Sequence, residues 1–187
     1  MAAVDVTSDR GKQPVSAALA GPYAHPFHPI LVTVPIGAWA AILVFDIASH
    51  LVSEPGFVTA GSTWLIGIGV VGAVAAALVG FLDLLAIPTG TPAFRVGLTH
   101  MSLNVLVTAA YAVGFAWRQH GGPAAGPVAT APLLLSVASF AVLGLSGSLG
   151  GRLAYRYGVR VADEATQADG FTVHAHSPTP DQPRRAG

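Results

Sequence analysis

Ala24-His25-Pro26-Phe27-His28-Pro29 leads directly into Ile30-Leu31-Val32-Thr33-Val34-Pro35-Ile36-Gly37-Ala38-Trp39, and the apolar run continues to Val52, interrupted by Asp46, Ser49 and His50. A membrane-crossing helix needs roughly 20 mostly apolar residues, and this run supplies them. Proline lacks a backbone donor and its fixed φ suits a helix start, so Pro26 and Pro29 hold the chain stiffly where the helix begins. The run therefore reads as a first membrane span with two imidazoles at its mouth.

Three further stretches qualify by the same length criterion, so the spans fall at about 30–52, 63–85, 94–117 and 131–153. The connectors carry turn chemistry: Glu54-Pro55-Gly56, Pro88-Thr89-Gly90-Thr91-Pro92, and Gly121-Gly122-Pro123 through Gly126-Pro127. Short connectors make successive helices antiparallel. The expected fold is all-α, an integral membrane four-helix up-down-up-down bundle over 24–161. Residues 1–23 read as a disordered cytoplasmic lead, with no signal peptide, and 162–187 as a disordered, proline-rich cytoplasmic tail.

Composition agrees. Of the 187 residues 52% are apolar and only 10% charged, against about 25% charged in soluble domains. Lipid, not water, is expected to cover much of the surface. The formal net charge is zero and the basic residues are scattered, which excludes a nucleic-acid footprint. The chain has no cysteine, so thiolate-ligated iron–sulfur clusters, disulfides and thiol catalysis are excluded within it. No nucleophile elbow, glycine-rich phosphate loop or closely spaced carboxylate pair supports an enzyme. Abundant Ala, Gly and Val, with Arg favoured over Lys, suit a GC-rich bacterial genome and hence the plasma membrane. Arg10 and Lys12 precede the first span, Arg95 lies in the second connector, and Arg152, Arg156 and Arg160 follow the last span. The third connector begins with Arg118 alone. This bias places both termini in the cytoplasm.

An ionisable group inside a span is costly and normally faces the bundle interior. At ~1.5 Å rise per residue, His25, His28, Asp83, His100, Arg152 and Tyr155 reach one cytoplasm-side layer from all four helices. His100, Asn104, Thr108 and Tyr111 follow 4, 4, 3 spacing on one face of the third helix, so they should point inward, either as an interhelical hydrogen-bond ladder or as part of a working site. Asp46 and His50 share a face near the outer end, where His120 also lies. The two histidines read as interfacial and solvated, whereas Asp46 needs a proton or a partner. Trp64 and Trp117 suit an outer aromatic belt and Trp39 packs mid-span. Gly72, Ala76 and Gly80, and likewise Gly147 and Gly151, recur every four residues and suggest close helix packing.

Further residues carry a family resemblance. The His25-Pro26-Phe27-His28-Pro29 opening is joined by Pro35-Ile36-Gly37 with Trp39 and Asp46, by Gly80 with Asp83, and by Gly97 with His100 and Asn104. Gly147, Gly150-Gly151, Tyr155 and Gly158 complete the pattern. From about Gly21 to Val161 the chain resembles the bacterial membrane family known as domain of unknown function 2231. The resemblance implies a four-helix membrane domain but no settled biochemistry. Some relatives adjoin or are fused to Rieske-type iron–sulfur domains, which hints at electron transfer; lacking cysteine, this chain would meet a Rieske-type protein as a separate redox partner. His50 and His120 lie outside the pattern.

Three functions follow. In the first, a redox or metal-binding module, His100 and His28 or His25 would ligate a haem b, with Asp83 accepting an imidazole N–H and Asn104 and Arg152 completing the site. Alternatively the same cluster of His25, His28 and His100, with Asp83, would hold a single divalent metal ion. The second is a structural or assembly subunit whose polar layer fixes helix register. The third is a small transport or proton-relay protein using Asp46, Asp83 and His100, which would have to form a homo-oligomer; no inverted repeat is apparent.

Overall fold

The computed structural model describes residues 12–14, 26–121, 126–169 and 171. His25, His174, His176, most of the lead, and the tail beyond 171 lie outside the described residues. Six helices occur among the described residues: α1 Phe27–Leu31, α2 Thr33–Ala48, α3 Gly56–Leu85, α4 Pro92–His120, α5 Thr130–Tyr155 and α6 Glu164–Asp169. The segments Phe27–Ala48, Gly56–Leu85, Pro92–His120 and Thr130–Tyr155 are each long and apolar enough to cross a membrane. The expected four-helix architecture is thus present.

The boundaries follow local chemistry. Pro35 has no N–H to offer the carbonyl of Leu31, and its ring crowds that turn, so the first span breaks at Val32 into α1 and α2. The ladder is carried across the break by Val32 N–H to His28 O (3.1 Å) and Ile36 N–H to Val32 O (3.2 Å), so the span bends without ending. The helix α3 starts at Gly56, directly after Pro55, seven residues before the expected 63, which brings Ser62 inside the helix. Thr91 caps α4 by accepting from Phe94 N–H, with Pro92 in the first turn. Within the tail read as disordered, Asp163 caps α6 by accepting from the amide and hydroxyl of Thr166 (2.9 Å each). Those bonds hold the Asp163 carboxyl below its ordinary pKa.

The bundle contains a duplication. His28 faces His100 with ring centroids 6.4 Å apart, Trp39 stacks on Tyr111 at 4.1 Å, and Asp46 pairs with Arg118. The members of each pair are 72 residues apart. α2 and α4 therefore run parallel and in register, like residues meeting across the bundle centre. Gly80 of α3 corresponds to Gly150 of α5, and Gly69, under Trp39, to the buried Ser139. The two helical hairpins, Phe27–Leu85 and Pro92–Tyr155, are thus related by an approximate two-fold axis along the bundle. The repeat is parallel, so it escapes a search for inverted halves. The symmetry is imperfect: α3 packs closely on α4, whereas α5 touches α2 more loosely.

Trp39, Ile42, Ile66, Ala73, Val107 and Tyr111 form the buried apolar centre. Most other large apolar side chains face outward, as lipid requires; Trp64 is 73% and Trp117 52% exposed, in keeping with their expected belt positions. The glycines divide by what they touch. A Cβ at Gly69 would lie 2.1 Å from Trp39 Nε1, and one at Gly72 2.8 Å from Val34. Nothing lies within 4 Å of a Cβ at Gly147, and at Gly151 only Tyr155 of the same helix, so these two do not make the interhelical contact their spacing suggested.

Gly69→Ala should lower stability by roughly 1–3 kcal/mol, since the rigid, stacked indole cannot retreat. Gly147→Ala should leave stability unchanged or slightly raised. Thermal unfolding of detergent-solubilised protein, followed by circular dichroism, checks both.

Candidate functional site

Two polar clusters sit at opposite ends of the pseudo-axis. The first is built around the two imidazoles. His28 Nδ1 lies 2.9 Å from Ala76 O and His100 Nδ1 2.8 Å from Ser146 O. A carbonyl oxygen only accepts, so both Nδ1 atoms carry hydrogen and donate, and in the neutral rings Nε2 holds the lone pair. The same local device makes both contacts possible. In an α-helix the side chain at i+4 overhangs the carbonyl at i; here those positions are Gly80, four residues after Ala76, and Gly150, four after Ser146. A Cβ at Gly80 would come within 2.8 Å of the His28 ring, and at Gly150 within 3.0 Å of the His100 ring. Each imidazole lies in a notch left by a glycine.

Asn104 Nδ2 donates to His100 O (2.9 Å) and stands 3.4 and 3.2 Å from His100 Nδ1 and Nε2. Near-equal distances to both ring nitrogens place it over the ring face, so it does not occupy the in-plane lone pair of Nε2. Ser146 Oγ lies 3.1 Å from His100 Nδ1 and donates to His100 O. His28, Asp83, His100 and Arg160 line one cavity of about 140 Å³, walled by apolar side chains that include Leu84, Ile87 and Leu153.

Two sequence expectations change here. Asp83 does not orient an imidazole, because the backbone carbonyls do; its carboxylate instead forms an ion pair with Arg160, Oδ1 lying 3.1 Å from Nε, which matches its charge in a poorly solvated place. Arg152 stands outside the cluster: it is exposed and lies over the Tyr157 ring at 5.8 Å. Arg160 takes its place because the chain reverses after α5 at Gly158 (φ 65°) and Arg160 (φ 58°). Among the described residues no three His, Asp or Glu side chains stand together as a ready metal set. His25 lies outside the described residues.

The second cluster answers what Asp46 pairs with. Arg118 Nη1 donates to Asp46 Oδ1 (2.8 Å) and Nη2 to Oδ2 (2.7 Å), a two-pronged pair with side chains 6% and 0% exposed. Ser62 Oγ donates to the same carboxylate and accepts from Nη1 (2.8 Å), while Ser136 Oγ accepts from Nη2 (3.1 Å). Ser49 Oγ donates to Asp46 O (2.6 Å) and accepts from Val128 N–H (3.0 Å), tying in the third connector. Tyr111 Oη donates to Ser136 O (3.2 Å). All four spans and a loop meet in one hydrogen-bond network around the Asp46–Arg118 pair. Arg118 counted as a connector charge in the sequence because the third span seemed to end at 117; the helix runs to His120 and keeps Arg118 inside. The informative signal was Asp46 itself, a carboxylate with one cation at its own end of the bundle. His50 and His120 are exposed, as expected.

Removing one partner of a buried ion pair leaves an uncompensated charge. Asp46→Ala and Arg118→Ala should each cost about 3–5 kcal/mol. The double variant should cost clearly less than the sum, in a double-mutant cycle measured by denaturant unfolding in mixed micelles.

Comparison with protein families matches residues 24–163 to one described as a predicted membrane protein (DUF2231). No curated protein and no solved structure matches. The matched region contains every residue of both clusters, and the membrane architecture in its description is the one the helices form. The chain belongs to the DUF2231 family of predicted membrane proteins.

Proposed function

We propose that this protein is a membrane-embedded metal-binding module in which His28 and His100 ligate one metal centre on the pseudo-two-fold axis. One observation carries the reading: two imidazoles related by the duplication each donate Nδ1–H to a neighbouring helix carbonyl, which makes Nε2 the unprotonated nitrogen of the neutral ring, and both residues line one cavity. Metal-ligating histidines usually have their second nitrogen held in this way, which fixes both tautomer and ring direction. With metal–nitrogen bonds of ≈ 2.0–2.1 Å, two imidazoles on one ion have centroids about 5–6 Å apart. The 6.4 Å separation is within a small side-chain adjustment of that range.

Cavity size separates a bare ion from haem. A water occupies ~30 Å³ of liquid, so about 140 Å³ accommodates an ion with a few waters. Pockets for drug-sized ligands run about 300–1,000 Å³, so a porphyrin would require the helices to part. The reading therefore favours a transition-metal ion suited to imidazole. We place this end of the bundle at the cytoplasmic face of a bacterial plasma membrane, following the arginines around the termini. A separate Rieske-type redox protein and a second copy of the chain are the partners to test for.

Transport finds less support. Between the clusters the Trp39–Tyr111 stack, Ile42, Ile66 and Val107 form a buried apolar layer. A structural lock describes the Asp46–Arg118 cluster well, since both carboxylate oxygens are taken, but it leaves the two open Nε2 atoms without a purpose.

Protein purified from cells supplied with haem and metals should contain about one metal ion per chain by elemental analysis, and His28→Ala or His100→Ala should remove it. An absorbance spectrum, oxidised and then reduced, distinguishes haem by its Soret band. A colourless preparation free of metal refutes the reading.

A further inference from the structure

We infer that Asp83 is an exchangeable ligand of this site, which passes its carboxylate from Arg160 to the ion when one binds between His28 and His100. The inference rests on the metal-binding reading and adds the third ligand and the device that controls it. Asp83 and Arg160 border the same cavity as the two imidazoles, and the carboxylate is turned toward the guanidinium. This explains why three potential ligands line one cavity without forming a ligand set. A divalent ion and Arg160 would compete for the same negative charge.

The duplication sharpens the point. The position in α5 equivalent to Asp83 of α3 is Leu153, which also borders the cavity. His28 and His100 obey the pseudo-symmetry, whereas the carboxylate breaks it. A group required only for helix packing has no need to be ionisable on one side and apolar on the other. An ion held by two imidazoles and one carboxylate does need such asymmetry.

Arg160 is held by a strap that can let go. It follows α5 and is anchored by Gly158 N–H to Ala154 O (3.1 Å) and Val159 N–H to Leu153 O (3.0 Å). Arg160 itself has φ 58°, a left-handed conformation costly for a side chain without the local hydrogen bonding of Asn or Asp. Such residues persist where surrounding contacts hold them. The Asp83 carboxylate is one such contact, and giving it to a metal ion would free the strap to relax.

The chain lacks cysteine, so a single nitroxide at Ala162→Cys, an exposed position just beyond the strap, reports its mobility without interference. The probe is Zn²⁺ alone, which is diamagnetic and leaves the spectrum unbroadened. Zn²⁺ should sharpen the label's spectrum in the otherwise native chain. Arg160→Gln should give a mobile label without metal and bind Zn²⁺ roughly tenfold more tightly, equivalent to removing about 1.4 kcal/mol of competition. Asp83→Asn should free the label too, yet bind Zn²⁺ more weakly. A purely structural ion pair would not make the two variants agree in mobility and diverge in affinity. Arg160→Lys, which keeps the charge, should restore an immobile label and guards against misfolding as the cause. Zn²⁺ binding with an unchanged spectrum and unchanged affinities in both variants overturns the exchange and leaves the His28–His100 site standing. No Zn²⁺ binding at all, with the haem spectrum also negative, overturns both.

Discussion

Hydrocarbon offers a buried carboxylate no hydrogen bonds, so wherever Asp46 goes the other helices must bring it partners. Arg118 answers with both terminal nitrogens, Ser62 donates to the same carboxylate, and Ser136 accepts from Arg118 in turn. Because these groups come from all four spans, satisfying one side chain fixes the rotation of every helix about its own axis. That rotation decides what the opposite end can do. Were α2 or α4 turned by one residue, about 100°, His28 or His100 would leave the notch over its carbonyl and face lipid or a neighbouring backbone. The ion pair and the imidazole pair thus lie at opposite ends of the same helices, with the Trp39–Tyr111 stack between them.

The two clusters resemble each other in composition and differ in how completely they are satisfied. Around Asp46 both carboxylate oxygens and the hydroxyls of Ser49, Ser62 and Ser136 have partners inside the protein. No cavity is needed there, and Val128 closes the end. Around the imidazoles the hydrogen bonds stop one atom short: each ring is anchored through Nδ1 and open at Nε2, beside a cavity. The carboxylate end thus has all its acceptors occupied, while Arg118 Nε is buried there without a partner among the described residues. An apolar layer separates the two clusters.

Much of this was legible in the sequence. Hydropathy and turn residues specified the four spans, and depth arithmetic brought His28, Asp83 and His100 to one layer, where all three border one cavity. What escaped depended on facts that spacing does not carry. Arg118 was hidden by a three-residue error in a helix end, enough to exchange a loop charge for a buried one. Arg160 replaced Arg152 because the chain reverses at Gly158, and only backbone geometry shows which of two arginines eight residues apart comes back. Glycines at equal spacing proved unequal: Gly80 and Gly150 admit imidazoles, whereas Gly147 and Gly151 meet no other helix. The duplication was readable in principle, since 72 residues separate His28 from His100 and Trp39 from Tyr111, but with few identities between the halves it emerges only when the pairs are seen in contact.

Duplication also accounts for how so small a bundle brings two anchored imidazoles together. A single helical hairpin contributes one anchored imidazole and one glycine notch, which is no more than a polar group in search of a partner. Two hairpins in parallel register bring the second imidazole to the first across the axis, and every pair on that axis inherits the same juxtaposition. Like residues there give a stack at Trp39–Tyr111 and a pair of donors at His28–His100. Two identical acids at the third level would repel, and two identical bases likewise, in a medium that screens neither. The third level could therefore be filled by charged groups only after the halves had diverged, one to Asp46 and the other to Arg118. On this argument the ion pair is the feature that a symmetric ancestor could not have had, and the one that commits the two halves to a single chain.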